Sequence, residues 1–182
     1  MKKYKKFIIV VAAIIISILF IVVSLFLLNI FNYLHTENRK ENVNIKISNA
    51  CVSETDVYKS IIQTCNEYIN NKPLTTVITT INEGKIEIEF YFVKYINNTA
   101  EGGRIEGTKV LVDFDNKTIK SIEYFNGSSK QYGTTVTPLT NLNSLNYSNA
   151  IDDYCKSNNE ILDNSNFIIR YTENSTRVEL VN

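Results

Sequence analysis

The sequence predicts an α+β fold, in which an N-terminal transmembrane helix precedes a domain built from helices and an antiparallel sheet. Three observations predict it: a long uncharged apolar block near the N-terminus, a helical pattern after that block, and several segments that alternate apolar and polar residues. Strands that come in runs behind helices favour α+β over a parallel α/β fold. The expected order after the membrane helix is α-β-β-β-β, followed by a shorter α-β-β unit.

The apolar block covers residues 7–31 and contains no charged side chain. As a helix it would be about 37 Å long, which is enough to cross the ~30 Å hydrocarbon core of a membrane with some tilt. A cleaved signal peptide is the alternative, but its apolar region is only about 7–15 residues long and ends at a small-residue cleavage site. The block here is longer and continues into Asn29–Tyr33, so we expect an uncleaved signal anchor.

The residues that flank the block predict its orientation. Four lysines lie within residues 1–6, whereas Glu37–Glu41 after the block has mixed charge. The positive-inside rule then places residues 1–6 in the cytoplasm and the C-terminal part outside the cell. We therefore expect a single-pass protein of the cell membrane, held by contacts of residues 7–31 with lipid, with residues 32–42 as a polar stalk. The abundance of Ile, Asn and Lys indicates an AT-rich bacterial genome.

A helix is expected over residues 54–70. Ser53 is a candidate N-cap, and two acidic residues follow it in what would be the first turn. Apolar residues then recur at helical spacing from Val57 to Ile69, and Pro73 stops the pattern.

Alternating segments predict the strands. In residues 85–96, Ile88 and Phe90 share one face, and Glu87 and Glu89 share the other, which we expect to contact water. The strands expected in this part of the chain are 43–47, 74–81, 85–96, 108–114 and 118–125. The last four would form an antiparallel meander behind the helix. The residues expected to be buried between helix and sheet are Ile61, Ile88, Phe90, Val110 and Val112.

Residues 43–126 are thus expected to form a helix-plus-sheet domain, and residues 127–146, rich in Ser, Thr, Asn and Gly, an irregular loop. A second, shorter helix would begin at Ser148 and lead into a hairpin over 167–181. We interpret residues 147–182 as a shortened second helix-hairpin unit, a degenerate repeat that belongs to the same fold.

Part of this pattern resembles a known family. Helix 54–70, the hairpin over 74–96 and the closing segment Lys109–Ile119 follow one another in an order that resembles a PepSY domain. Val112-Asp113 matches the family's pattern, and Asn116-Lys117 stands where the family usually has Thr-Gly. The resemblance implies a cystatin-like α+β unit outside the cytoplasm, often tethered, of a kind thought to restrain peptidases or to assist signalling and envelope proteins.

Charge and histidine content exclude several classes of function. The chain has 19 basic and 19 acidic residues, so it lacks the basic field that nucleic-acid binding needs. His35 is the only histidine and lies beside the apolar block. A Ser-His-Asp triad, a Cys-His pair and a histidine-ligated zinc site are therefore excluded. We predict no catalytic, cofactor-binding or metal-binding residues, and no cofactor.

Acidic side chains remain as candidates for acid–base chemistry or for a cation. The groups considered are Glu87 with Glu89, Asp152 with Asp153, and Asp113 with Asp115 and Asn116. A glycosidase needs two carboxylates across a cleft, one of them with a pKa raised by burial. The two glutamates lie on the polar face of a strand, and the last group fits a turn and lacks EF-hand spacing. We therefore interpret all three groups as solvated, with a carboxylate hydrolase as the alternative.

The three cysteines allow a geometric prediction. Cys51 precedes the N-cap of the expected helix, whereas Cys65 lies about 18 Å along its axis. A disulfide requires Cα atoms within about 7 Å, so Cys51 and Cys65 should not pair with each other. If a disulfide forms, it joins Cys155 to one of them; free buried thiols are the alternative.

Together these observations predict a non-enzymatic module. We expect it to be anchored in the membrane and to act outside the cytoplasm, where it would bind or regulate an envelope protein or peptide. The alternative is a structural subunit of a membrane assembly, of the secretion or conjugation type, whose outer domain forms oligomers.

Overall fold

The computed structural model describes residues 17–25, 39–97, 103–128, 136–158 and 166–181. The chain divides into two units, residues 1–37 and residues 38–182. In the first unit the described residues, 17–25, are helical.

The first correction concerns the predicted transmembrane helix. Within the described ranges, no helix is both long enough and apolar enough to cross a membrane. Residues 7–16 and 26–31 of the predicted span, and the stalk up to residue 38, lie outside the described residues. The prediction of a single-pass, signal-anchored membrane protein with a cytoplasmic N-terminus is wrong on this finding, because the length of the apolar block and its flanking charges did not give a membrane-spanning helix among the described residues.

The second correction concerns the fold class. Residues 38–182 form a mostly β unit around one seven-stranded antiparallel sheet, with few helices. The α+β prediction is wrong because the strands are longer, and the first helix shorter, than the patterns indicated. The helix expected over 54–70 is interrupted at Cys65, and the first strand begins at Arg39, within the expected stalk.

The sheet has the strand order β1-β5-β4-β3-β2-β6-β7, and every neighbouring pair is antiparallel. The strands are β1 (Arg39–Lys46), β2 (Leu74–Asn82), β3 (Lys85–Asn97), β4 (Arg104–Asp113), β5 (Thr118–Ser128), β6 (Asn166–Thr172) and β7 (Ser175–Val181). The meander β2 to β5 is therefore the centre of the sheet. The β6–β7 hairpin extends it beside β2, and β1 closes the other edge beside β5.

Three α-helices lie within the described part of this unit: α1 (Glu54–Thr64), α2 (Asn66–Ile69) and α3 (Tyr147–Asn158). Ser53 caps α1, because its hydroxyl accepts a hydrogen bond from the Asp56 backbone N–H. Cys65 separates α1 from α2, and α2 ends at Asn70 in the left-handed conformation with φ 50°. Leu142–Ser144 form a short 3-10 helix before α3.

The main core lies between the helices and one face of the sheet. Ile61, Ile88, Phe90, Val110 and Val112 have no exposed surface, so the predicted core residues are confirmed. They belong to one apolar cluster that contains residues of α1, α2 and six of the strands or their ends, with α3 packed against it. The register of β3 is therefore the one that its alternation predicted.

The opposite face of the sheet carries a small second cluster. Val93, Ile105 and Phe125 are buried there, with Tyr91 and Val136 packed against them. The ring of Phe125 covers Gly107, and a Cβ at that position would lie 2.0 Å from the ring. Gly107 thus provides the space that the aromatic ring fills.

Candidate functional site

The glutamates considered as a catalytic pair lie on the sheet face opposite the helices. The carboxylate of Glu87 is 2.9 Å from Lys120 Nζ, and that of Glu89 is 3.4 Å from Lys109 Nζ. The Tyr91 hydroxyl also donates a hydrogen bond of 2.8 Å to Glu89. Both carboxylates are partly exposed and paired with lysines, so the structure does not arrange them as the acid and base of a hydrolase.

The acids at the β4–β5 turn stabilise the turn itself. Asp113 accepts hydrogen bonds of 3.0 and 2.9 Å from the backbone and side-chain nitrogens of Asn116. Burial alone would raise the pKa of Asp113, but these hydrogen bonds and nearby Lys120 hold it below its ordinary value. Asp115 accepts a 2.9 Å bond from the Ile86 backbone N–H. These oxygens are therefore occupied by donors of the fold.

The other candidate groups are also separate from one another. Asp152 and Asp153 are exposed on α3, and His35 lies outside the described residues. Within the described ranges, no three His, Cys, Asp or Glu side chains are grouped so that they could hold a metal ion. The three cysteines are free thiols, and burial raises the pKa of Cys51 and Cys65, which disfavours the thiolate.

A cavity of about 530 Å³ lies where the β2–β3 and β4–β5 turns meet. Its lining includes Lys85, Glu87, Asp113 and Lys120. Lys120 Nζ lies 2.9 Å from Glu87 and 3.6 Å from Asp113, so its charge offsets part of theirs. With Asp115, the lining contains three acidic and two basic side chains.

The burial of Glu54, the first residue of α1, was not predicted from the sequence. Its side chain has no exposed surface. Its Oε1 accepts hydrogen bonds from Thr79 Oγ1 at 2.8 Å and the Tyr171 hydroxyl at 3.3 Å, and its Oε2 accepts one from the Tyr147 backbone N–H at 3.1 Å. Burial raises the pKa of Glu54, and the three hydrogen bonds offset part of that rise.

Glu54 lies on α1, and its three donors lie on β2, on β6 and at the start of α3. Its hydrogen bonds therefore join four elements. The neighbouring Thr55 hydroxyl donates to the carbonyl oxygen of Leu142, which fixes the segment before α3. A carboxylate that is fully enclosed and already hydrogen-bonded at both oxygens has no path to a substrate. We therefore assign it a positioning role.

The sequence contains a signal for this burial. Glu54 precedes Val57 by three residues and Ile61 by seven, so it lies on the same helical stripe as these core side chains. An acid at the start of a helix is also stabilised by the helix dipole. An acidic residue on the apolar stripe of the first turn is thus a sign of a buried carboxylate.

A second buried charged residue, Lys72, lies beside α2 and is only 8% exposed. Its Nζ donates hydrogen bonds of 3.2 Å to the Ile69 carbonyl oxygen and 3.4 Å to Thr108 Oγ1. Burial lowers the pKa of Lys72. The amine is occupied by the end of the helix and by β4, and it faces no cavity described above.

The edge strand β7 differs from these regions because, in the described part of the chain, no strand pairs with its outer side. It pairs with β6 in an unbroken register of seven residue pairs, closed by the pair Thr172 and Ser175. In a two-residue hairpin the closing residues exchange backbone hydrogen bonds, and such pairs then alternate along the ladder. The backbone groups of Thr176, Val178 and Leu180 therefore point away from β6, along the outer edge of the sheet.

The opposite edge is protected. β1 reads RKENVNIK, and its pairing with β5 is irregular between Asn42 and Ile45. Lysines and bulges are common devices that prevent an edge strand from pairing with other chains. β7 has no such irregularity, and its Leu180 and Val181 side chains are 37% and 40% exposed.

A groove of about 420 Å³ runs beside β7, between the β6–β7 hairpin and α3. The hairpin contributes Tyr171, Thr176 and Val178 to its lining, and α3 contributes Asp153 and Tyr154 among others. Because the Tyr171 hydroxyl donates to Glu54, the floor of the groove is tied to the start of α1. The edge and the groove together form the candidate site.

Comparisons of the chain with family models, with curated proteins and with solved structures found no match. The resemblance to a PepSY domain remains a prediction from the residues quoted for it.

Proposed function

We propose that residues 38–182 form a non-catalytic interaction module, which binds an extended polypeptide segment along β7. The observation that carries this proposal is an unbulged edge strand, partly apolar, that lies beside a groove formed with a helix. An exposed edge of this kind is a template for another strand, and proteins use it to capture extended peptides.

The backbone would supply most of the affinity. Thr176, Val178 and Leu180 each direct an N–H and a carbonyl group outward, so an added strand can form a regular ladder with them. This ladder does not depend on the side chains of the bound segment.

The groove would supply selectivity. Alternate side chains of an added strand point to the face that α3 covers, where Tyr154 and Val178 offer apolar surface and Asp153 offers a charge. A segment with alternating apolar residues, and a basic residue near Asp153, fits this lining best.

The described acids support a non-catalytic role. Glu87 and Glu89 pair with lysines, Asp113 and Asp115 accept hydrogen bonds in turns, and Glu54 is enclosed. General acid–base work needs a group that can reach the substrate and exchange a proton there.

Selection of binders from a displayed library of random twelve-residue peptides tests the proposal. The full chain is the target, and hydrogen exchange maps each selected peptide. We expect the amides of Thr176, Val178 and Leu180 to become protected. Val178→Pro should abolish binding, because it removes an outward N–H while leaving the pairs with β6 intact.

Val178→Thr is the matched control, since it keeps both the N–H and the β-branched shape, and it should bind as the wild type does. Selected peptides that protect residues elsewhere and bind Val178→Pro with unchanged affinity would contradict the proposal.

A further inference from the structure

We infer that the segment bound by β7 is the β7 strand of a second copy of this chain, paired antiparallel about Val178. This inference rests on the proposed function, because it names the partner of the same edge. Such an interface is isologous, in that each copy presents the same surface to the other.

The first argument is an unbalanced charge on the outer face of the hairpin. Arg170 on β6 lies directly opposite Arg177 on β7. On its other side Arg170 lies opposite Ile78 of β2. Like charges that face each other across strands are destabilising, so Arg177 favours an acid on its free side. Glu179 is near it at 3.8 Å, but lies two residues along the same strand rather than opposite.

A second β7 provides that acid. When Val178 faces Val178 of the second copy, Arg177 lies opposite Glu179 of the second copy, and the same pair recurs across the two-fold axis. Both side chains are on the face away from the helices, so each pair forms on a common surface. Arg177 and Glu179 are 74% and 58% exposed, and are therefore available for these contacts.

The backbone geometry agrees with this register. Val178 directs its N–H and carbonyl outward, so the two copies of Val178 can exchange both hydrogen bonds. The backbone groups of Thr176 and Leu180 also point outward, and Thr176 of one copy pairs with Leu180 of the other. The three positions would form about six interchain hydrogen bonds.

Other symmetric registers lack this complementarity. In a register centred on Arg177, the two copies of Arg177 face each other. In a register centred on Glu179, the two copies of Glu179 face each other. Centring it on Thr176 or Leu180 leaves both charges without an opposite partner. Only the register centred on Val178 joins Arg177 to Glu179, and it does so twice.

Charge reversal tests the inference on the purified full chain, with light scattering and sedimentation as measurements of mass. The wild type should be a dimer. Arg177→Glu and Glu179→Arg should each weaken the dimer by about tenfold or more, because each places two like-charged pairs across the interface. The double variant, with both changes, restores the opposite pairs and should dimerise as the wild type does.

Arg177→Glu removes the repulsion from Arg170 but also loses the 3.8 Å contact with Glu179, so denaturant unfolding of each variant is measured beside its mass to show that a loss of dimer is not a loss of fold. Dimers of equal strength in all four proteins would overturn the inference, because association would then occur through another part of the chain. A wild type that stays monomeric at every concentration, yet binds displayed peptides along β7, would overturn the dimer and leave the proposed function intact. A monomer that binds no peptide along β7 would overturn both.

Discussion

The Tyr171 hydroxyl donates a hydrogen bond of 3.3 Å to the carboxylate of Glu54, which lies 117 positions earlier in the chain. This bond links the floor of the β7 groove to the first turn of α1. It means that the candidate site depends on a buried acid at the opposite end of the domain's sequence. Changes at Glu54 should therefore affect both stability and the site.

Replacement of Glu54 by alanine should lower the free energy of unfolding by about 3–5 kcal/mol. It leaves the Thr79 hydroxyl, the Tyr171 hydroxyl and the Tyr147 N–H buried without their acceptor, at about 1–3 kcal/mol for each unmade bond. Denaturant unfolding of the full chain measures the change. Glu67→Ala, on an exposed position of α2, is the control and should change stability by less than about 0.5 kcal/mol. Equal effects of the two substitutions would show that the hydrogen bonds of Glu54 do not stabilise the fold.

Stability should also depend on pH through Glu54. Burial raises its pKa above the ordinary value of 4.5, with the hydrogen bonds from Thr79, Tyr147 and Tyr171 opposing the rise. The folded state then binds this proton more tightly than the unfolded state. The stabilisation from Glu54 is therefore fully present below the unfolded pKa and is lost as pH rises through the folded pKa.

Parallel urea titrations of the wild type and of Glu54→Gln from pH 4 to pH 8 measure this effect, because the variant lacks the titration and all other acids are common to both. We expect the stability of the wild type relative to the variant to fall as pH rises above about 4.5. Parallel curves would show that the pKa of Glu54 is the same in the folded and unfolded states.

The register of β3 predicts unequal effects of two neighbouring substitutions. Phe90→Ala should cost about 3–5 kcal/mol, because a side chain with no exposed surface is replaced by a cavity. Glu89→Ala removes a partly exposed ion pair with Lys109 and the hydrogen bond from the Tyr91 hydroxyl, and should cost less, about 1–2 kcal/mol. Denaturant unfolding compares the two, and the reverse order would indicate a shift of one residue in the strand.

Gly107→Ala should lower the free energy of unfolding by about 1–3 kcal/mol, because the new Cβ would collide with the buried ring of Phe125. In a Phe125→Ala background the same substitution should cost much less, since the ring is absent. A double-mutant cycle from thermal or denaturant unfolding measures this coupling. Additive effects of the two changes would show that the ring moves aside freely.

Local patterns predicted most individual elements because strand alternation and helix capping are encoded by neighbouring residues. The strand expected over 85–96 is observed as Lys85–Asn97, and Ser53 caps the first helix as expected. Periodicity could not reveal the interruption at Cys65, because Ile69 keeps its place on the buried stripe beyond it. The apolar residues 7–31 likewise predicted a long helix, and no helix long enough to cross a membrane is present among the described residues.

The candidate site could not be predicted because it depends on which strand lies at the edge of the sheet. The pairing of β6 with β2, and of β1 with β5, joins segments distant in sequence, and alternation within a strand does not indicate its neighbours. Glu54 was predicted only as one of two acidic residues in the first turn of the helix. Its position three residues before Val57 was the available signal of burial.

The two edge strands of the sheet come from the two ends of the domain, with β1 and β7 separated by five other strands. At about 4.8 Å per strand, Arg39 and the β7 edge are therefore roughly 29 Å apart across the sheet. Pairing of two copies through β7 would place the two Arg39 residues at the far ends of one continuous sheet, about 60 Å from each other. The dimer would then act as a spacer that fixes the distance between its two β1 edges.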